Sequence, residues 1–255
     1  MKHPLQDTIK YSWSLIAIAV LLVIPELSAS EEISKQDIVS QGNKRSYYLF
    51  VPKGVEGPTP LLITLHGSGS DGLSLVQRWR DLASREGFIV AGPDSYDSQA
   101  WTVPEDGPDF LRNLIEELKA RYPVNSRRVY LFGHSGGAVF ALNMSMLESE
   151  YFAATAIHAG AWRRRAEFSL IDYAKRKIPL AIVVGDQDQF FRPSAVRSTS
   201  ERLKAKGFEV EVTVLQGHDH RYDDLAPQIN EELWGYLKKY ELSKEAEYDE
   251  YQFER

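Results

Sequence analysis

Residues 129–142 constrain the fold more than any other part of this sequence. They read Val-Tyr-Leu-Phe-Gly-His-Ser-Gly-Gly-Ala-Val-Phe-Ala-Leu, an apolar run that leads into Gly-x-Ser-x-Gly and then into a helix-compatible stretch. A strand, a sharp turn and a helix form the context of a nucleophile elbow, which holds a serine hydroxyl above a sheet. The flanking glycines permit the close backbone contacts of such a turn. Ser135 is therefore a predicted nucleophile, and the simpler alternative is a glycine-rich turn with a surface serine.

Strand-like and helix-like segments alternate along the rest of the chain. This alternation predicts an α/β fold, a mostly parallel sheet with helices on both faces. No internal repeat or long low-complexity linker interrupts it. The predicted strands lie at residues 46–51, 61–65, 88–91, 129–132, 153–157, 178–184 and 210–215, and the clearest predicted helices at 73–85, 108–121, 194–206 and 226–240.

Composition narrows the function classes. The chain has 255 residues, of which 43% are hydrophobic, enough for one sizeable core. Its 36 acidic and 30 basic residues give a net charge of -6, which argues against nucleic acid or an anionic membrane surface as the main partner. The absence of cysteine excludes thiol catalysis, disulfides and thiolate metal sites.

The N-terminal segment, residues 1–30, has the features of a secretory signal. Lys2 and Lys10 precede an apolar run at residues 13–24, and small residues follow before Glu31. The run is too short for a comfortable membrane span. The alternative is an uncleaved anchor, which would give membrane association through the N-terminus. Either interpretation predicts a secreted or periplasmic protein.

The predicted domain division follows from these segments. Residues 31–242 form one catalytic domain after the signal or anchor. The tail, residues 243–255, is charged and lacks a clear apolar stripe, and it is expected to be loosely held.

A serine nucleophile needs an adjacent base, which an acid holds in turn. Where the nucleophile lies on an elbow, the chain order is serine, acid, histidine. Of the six histidines, only His218 and His220 follow the last predicted strand. We favour His220 as the base because it lies deeper in the loop, three residues after Gly217, and His218 is the alternative. The His-x-His pair also suggests a metal site, but a second ligand cluster is missing, so no metal and no cofactor is predicted.

The acid is expected directly after the strand at residues 178–184. Gly-Asp-Gln-Asp at 185–188 offers two carboxylates. Asp188 is the favoured acid, and Asp186 is expected to close the turn through its own side chain.

The negative oxygen of a tetrahedral intermediate must be met by fixed donors, and losing one typically costs about 3 to 4 kcal/mol. The predicted donors are the backbone N–H groups of Gly136, directly after the nucleophile, and of Ser68, in the His-Gly-Ser-Gly-Ser loop after the strand at 61–65. The simpler interpretation of that loop is a flexible turn.

Several aromatic residues fall in or near loops at the same expected end of the sheet. They are predicted to line a pocket for an aromatic or acyl group, although each could equally serve in ordinary packing. They are Trp101, Trp162, Phe190, Phe191 and Tyr222.

With these motifs the sequence resembles α/β-hydrolases, and more narrowly secreted esterases of the polyhydroxybutyrate depolymerase and feruloyl or acetylxylan esterase type. The resemblance rests on Tyr-x-Leu-x-Val-Pro at 47–52, Leu-His-Gly at 65–67, Arg-x-Val-Tyr before the elbow, Phe-Ala-Ala at 152–154 and Gly-Asp-x-Asp at 185–188. It implies Ser135 as nucleophile, Asp188 as acid, His220 as base, and the Ser68 and Gly136 amides as oxyanion hole.

The resemblance implies cleavage of carboxylic esters through an acyl-enzyme, on a small-molecule or polymer-derived substrate. The cap is expected to be small or absent, because residues 159–177 leave room for about one helix. Two alternatives stay open, a serine peptidase of the same fold and a non-catalytic binding protein on a hydrolase scaffold.

Overall fold

The computed structural model describes residues 32–248, so the predicted signal or anchor lies outside the described residues. Short 3₁₀ turns at Leu170–Tyr173 and Asp223–Leu225 accompany the main elements. The strands are β1 Ser34–Ser40, β2 Asn43–Phe50, β3 Thr59–Leu65, β4 Ile89–Pro93, β5 Val124–His134, β6 Ala154–His158, β7 Leu180–Gly185 and β8 Val210–Leu215. The helices are α1 Gly72–Glu86, α2 Pro108–Arg121, α3 Gly136–Leu147, α4 Arg165–Ser169, α5 Pro193–Ala205 and α6 Ala226–Leu237.

The strands form one eight-stranded sheet in the order β1-β2-β4-β3-β5-β6-β7-β8. Strands β3 to β8 run parallel, and β2 pairs antiparallel with both β1 and β4. The predicted α/β fold with a mostly parallel sheet is therefore confirmed. The carboxyl ends of β3, β5, β7 and β8 meet at one edge, where ligands bind in sheets of this kind.

The edge strand β1 has no counterpart among the strands predicted from the sequence, the first of which begins at residue 46. It pairs with β2 through a tight turn at Gln41 and Gly42, whose φ angles are 50° and 77°. Most of its side chains are at least partly exposed. The strand was missed because an edge strand needs no apolar run, and polar residues there also discourage pairing with other chains.

Helices cover both faces of the sheet, as predicted. Helices α1 and α6 pack on one face, around Trp79, Phe88 and Trp234. Helices α2, α3 and α5 pack on the other, where Phe110 and Phe140 belong to the core. This two-sided burial explains the continuous apolar runs of the central strands.

Between β6 and β7 the chain adds only α4 and one 3₁₀ turn. The site at the sheet edge is therefore left without a separate cap domain, which confirms the prediction of a small or absent cap. None of the helices between residues 32 and 248 is long and apolar enough to cross a bilayer.

The described part of the C-terminal tail, residues 243–248, packs on the body of the protein. The Tyr248 ring lies 5.9 Å from the ring of Tyr151 and 4.5 Å from the Arg112 guanidinium, and its hydroxyl donates to Asp109. The expectation of a loosely held tail is wrong for this part. The charged composition of the tail suggested few contacts, but one aromatic side chain packs on the protein.

A buried ion pair anchors the long connection between β4 and α2. Arg45 and Asp106 are 6% and 0% exposed, and their side chains meet at 2.5 Å. The Arg45 guanidinium also donates to the carbonyls of Asp94 and Glu105 and stacks on the Phe110 ring at 3.8 Å. Both ends of this connection are thus tied to β2.

Replacing Asp106 with asparagine should leave the buried Arg45 charge uncompensated. We expect Asp106→Asn to lower the free energy of unfolding by about 3 kcal/mol, measured by urea denaturation. The control is Asp81→Asn, which removes a carboxylate from the exposed pair with Arg80 and should cost less than about 1 kcal/mol. Equal small losses in the two variants would show that the buried pair does not anchor the connection.

Candidate active site

Ser135 is the one residue between the end of β5 and the start of α3. Its φ and ψ angles are 54° and -116°, a conformation that non-glycine residues rarely adopt. The turn is so tight that a Cβ on Gly133 would lie 2.3 Å from the Gly137 carbonyl oxygen, and one on Gly137 would lie 2.0 Å from that of Leu65. Only glycine fits at these two positions, so the sequence motif follows from the contacts of the elbow.

The structure brings Ser135, His220 and Asp188 into one chain of hydrogen bonds. His220 Nε2 lies 2.9 Å from Ser135 Oγ, and His220 Nδ1 lies 2.9 Å from Asp188 Oδ2. An ionised carboxylate only accepts, so Nδ1 carries the ring proton and Nε2 of the neutral ring accepts from the serine hydroxyl. The other Asp188 oxygen accepts from the backbone N–H groups of Phe190 and Phe191, both at 2.8 Å. The buried carboxylate is thereby held in place.

Close packing of two loops sets the distance between the acid and the base. A Cβ on Gly185 would lie 2.0 Å from the carbonyl oxygen of His218, and the Gln187 N–H donates to that oxygen at 2.9 Å. Asp186 accepts from the Gly217 N–H at 2.8 Å. Asp186 therefore ties the loop after β7 to the loop after β8, whereas the sequence suggested that it closes its own turn.

The other candidate base, His218, is not beside Ser135. Its side chain is largely buried, and its ring centroid lies 5.6 Å from that of His158. His218 and His220 therefore lie in different surroundings, and His220 is the one that contacts the serine.

Ser68 lies against Gly136, as expected for neighbouring donors of an oxyanion hole. A Cβ on Gly136 would lie 2.8 Å from Ser68 Oγ and 3.5 Å from Ser68 N. One on Gly67 would lie 3.3 Å from Ser135 Cβ. The loop after β3 is thus packed directly beside the nucleophile.

An open cleft of about 370 Å³ lies over these residues. Besides the serine, the base and Ser68, its wall includes the hydroxyls of Ser70 and Ser74, the carboxylates of Asp223 and Asp224, and Arg221. The cleft therefore combines side chains that carry hydroxyl, carboxylate and guanidinium groups with an apolar part of its wall.

Of the aromatic residues predicted to line a pocket, only Tyr222 belongs to the wall of this cleft. Trp162 is 1% exposed and donates its indole N–H to Asn143, so it is part of the core. Trp101 donates to the backbone carbonyl of His66. Phe190 is 67% exposed with its ring 4.8 Å from that of His220, where it covers the outer side of the base.

Tyr222 is mostly buried and links the base loop to two helices. Its hydroxyl donates to Asn230 on α6, whose amide donates to the Arg78 carbonyl on α1 at 2.9 Å. Burial raises the pKa of the Tyr222 hydroxyl well above its usual value, so the neutral hydroxyl makes this bond.

Two histidines that chain order had left without a role contact each other close to His220. His134 Nδ1 and His158 Nδ1 are 3.0 Å apart, and the His134 ring lies 5.2 Å from that of His220 and 5.4 Å from that of Tyr222. One histidine ends β5 and the other ends the neighbouring strand β6, at paired positions of the two strands. Burial, followed by the nearby His220, lowers the pKa of His134 to about 4, and burial likewise lowers that of His158.

No group of three or more metal-ligand side chains in residues 32–248 is arranged to hold a metal ion.

The depressed pKa of His134 makes stability depend on pH. Above pH 6.5 the ring is neutral in both the folded and unfolded states, and below it only the unfolded state binds the proton until pH falls to about 4. Protonation of His134 in the unfolded state should therefore lower the free energy of unfolding by about 2 kcal/mol as the pH falls from 8 to 5. Urea denaturation at both values should show a fall in the wild type that is smaller in His134→Gln. Identical falls in the two proteins would contradict the buried neutral imidazole.

Comparison with known proteins agrees with this fold. A model of the dienelactone hydrolase family matches residues 20–245, so the chain belongs to the dienelactone hydrolase family. The architecture is that of an α/β-hydrolase. The bifunctional acetylxylan esterase/xylanase XynS20E of Neocallimastix patriciarum is 29% identical over 118 residues, which cover 44% of this chain and 18% of that protein. The chain spans less than half the length of the first curated relatives that it matches.

Solved structures share the fold at low sequence identity. A ferulic acid esterase superimposes with a TM-score of 0.68 at 16% identity, covering 82% of this chain and 98% of its own. The acylaminoacyl peptidase of Pyrococcus horikoshii superimposes with a TM-score of 0.67 at 14% identity, covering 86% of this chain and 43% of its own. These similarities establish the fold, and the reaction is inferred from the geometry of the site.

Proposed function

We propose that this protein is a secreted serine esterase that cleaves carboxylic esters through an acyl-enzyme. The observation that carries the proposal is the pair of 2.9 Å contacts from His220 to Ser135 and to Asp188. A strained, glycine-enclosed elbow presents the serine, which is the arrangement that nucleophilic catalysis requires. Membership of the dienelactone hydrolase family and the acetylxylan esterase relatives support a hydrolase that acts on esters.

In the first half of the reaction, Ser135 Oγ attacks the ester carbonyl carbon and its proton passes to His220 Nε2. Asp188 stabilises the resulting imidazolium through Nδ1. The carbonyl oxygen becomes an oxyanion that accepts from the Ser68 and Gly136 N–H groups. Collapse of this intermediate breaks the bond to the alcohol, which leaves with the proton from His220.

In the second half, water replaces the alcohol. His220 removes a proton from the water as its oxygen attacks the acyl-serine, and the same two amides hold the second oxyanion. Ser135 then leaves with the proton from His220, and the carboxylic acid is released. No redox step or cofactor is needed for this cycle.

The walls of the cleft favour a polar alcohol part. Asp223 and Asp224 line the cleft, paired with Arg78 and Arg221, and their remaining lone pairs can accept hydrogen bonds from substrate hydroxyls. The absence of a cap between β6 and β7 leaves room for a bulky substrate. The acetylxylan esterases among the relatives support acetyl esters on a carbohydrate as the substrate class. Export is proposed on the basic and apolar N-terminal pattern, residues 1–30.

Triad variants test this proposal. We expect Ser135→Ala and His220→Ala to lower kcat for p-nitrophenyl acetate by at least about 10⁴-fold. The matched control is His218→Ala, which should keep most of the activity because its ring does not contact the serine. Loss in His218→Ala with activity retained in His220→Ala would exchange the two assignments.

A substrate panel separates the proposed esterase from its alternatives. The full chain would be assayed on p-nitrophenyl acetate, butyrate and octanoate, on methyl ferulate, on acetylated xylan and on a peptide p-nitroanilide. The proposal predicts hydrolysis of short-chain esters and acetate release from xylan. Peptide cleavage without ester cleavage would indicate a peptidase, and rates equal to Ser135→Ala on every substrate would indicate a binding protein.

A further inference from the structure

Hydrogen bonds join the loop after β3, residues 66–69, to the connection after β4, residues 94–106. We name these the oxyanion loop and the brace loop. Ser95 N donates to His66 Nε2 at 3.1 Å, and Trp101 Nε1 donates to the His66 carbonyl at 2.8 Å. On the other side of Ser68, Gly69 N donates to the Ser98 carbonyl at 2.7 Å. The proposed oxyanion donor is therefore anchored on both sides.

The His66 ring fixes the peptide unit that contains the donor. Its Nε2 accepts from a backbone N–H, so the ring proton is on Nδ1, which lies 2.8 Å from the Gly67 carbonyl oxygen. That carbonyl and the Ser68 N–H belong to one planar trans peptide, in which C=O and N–H point in opposite directions. Holding the Gly67 oxygen therefore sets the direction of the Ser68 N–H.

Trp101 holds the preceding peptide and connects it to α3. Its indole N–H binds the His66 carbonyl, while its ring stacks on Phe140 with centroids 5.2 Å apart and planes at 17°. Its ring also lies 4.9 Å from the His66 ring. Phe140 is in the helix that begins at Gly136, so Trp101 contacts both segments that supply the proposed donors.

The brace loop is itself held rigidly. The Asp106 carboxylate, paired with Arg45, accepts from the N–H of Tyr96 at 2.7 Å and from that of Thr102 at 2.9 Å. Thr102 directly follows Trp101 in the chain. The position of the indole is thus fixed from the buried ion pair as well as from the α3 side.

We propose that Trp101 is a positioning residue for the oxyanion hole, a role that rests on the proposed function. Its indole N–H holds the oxyanion loop so that the Ser68 amide is aligned before the charge develops. Donors that are already aligned cost no reorganisation in the transition state. The predicted consequence is a defect in transition-state stabilisation with little change in substrate binding.

The test replaces the indole N–H and keeps an aromatic ring. We expect Trp101→Phe to lower kcat for p-nitrophenyl acetate about tenfold and to change KM by less than about twofold. This loss is smaller than the roughly 10²- to 10³-fold fall in kcat that follows removal of a whole oxyanion donor. The matched control is Trp234→Phe, which removes one indole hydrogen bond, to Glu86, on the opposite face of the sheet. Its kcat should stay within about twofold of the wild type.

A second readout isolates the oxyanion hole. A trifluoromethyl ketone forms a tetrahedral adduct with the serine, and its Ki should rise in Trp101→Phe by the factor by which kcat/KM falls. If Trp101→Phe does not fold, benzothienylalanine at position 101 replaces N–H by sulfur in a ring of the same shape.

The outcomes distinguish the two proposals. Wild-type kcat and Ki in the folded variant, or a loss confined to KM, would overturn the positioning role while the esterase proposal stands. A wild-type protein without Ser135-dependent ester cleavage would overturn both.

Discussion

The fold around the site depends on one close backbone contact, the approach of α3 to the end of β3. A side chain at Gly137 would overlap the Leu65 carbonyl oxygen, at 2.0 Å from the Cβ position. Without this contact, Ser68 after β3 could not lie against Gly136 at the start of α3. The same approach forces the strained backbone of Ser135, because the chain must leave β5 and enter the helix within one residue. Packing of the apolar core against both faces of the sheet holds the strain in place.

Two buried carboxylates each accept hydrogen bonds from backbone amides, but they serve different purposes. Asp106 is fully hydrogen-bonded: its carboxylate pairs with Arg45 and accepts from backbone N–H groups of the brace loop. Asp188 is held by the amides of Phe190 and Phe191 and keeps one oxygen for His220. The first carboxylate fixes a loop, and the second orients an imidazole. Burial also keeps His134 neutral at pH 7, so its ring, 5.2 Å from that of His220, adds no positive charge next to the base.

The fold and the three central side chains could be predicted from the sequence because they follow from local patterns and chain order. The elbow motif, Asp188 and the loop containing His220 each follow the carboxyl end of a strand. The roles of Trp101 and Trp162 could not be predicted, because loop position does not reveal whether an aromatic ring lines a cleft or packs inward. Strand β1 was not predicted because a polar strand at the edge of the sheet has no apolar sequence pattern. The pairing of His134 with His158 needed the register of two neighbouring strands.

The most direct measurement of the central claim is covalent labelling by a fluorophosphonate, followed by peptide mapping. The probe phosphonylates only an activated serine, so the proposed mechanism predicts one equivalent on Ser135. Labelling should be lost in Ser135→Ala and strongly slowed in His220→Ala, because the base no longer accepts the serine proton. An unlabelled wild-type protein, or modification at a different serine, would contradict the proposed nucleophile and the acyl-enzyme mechanism.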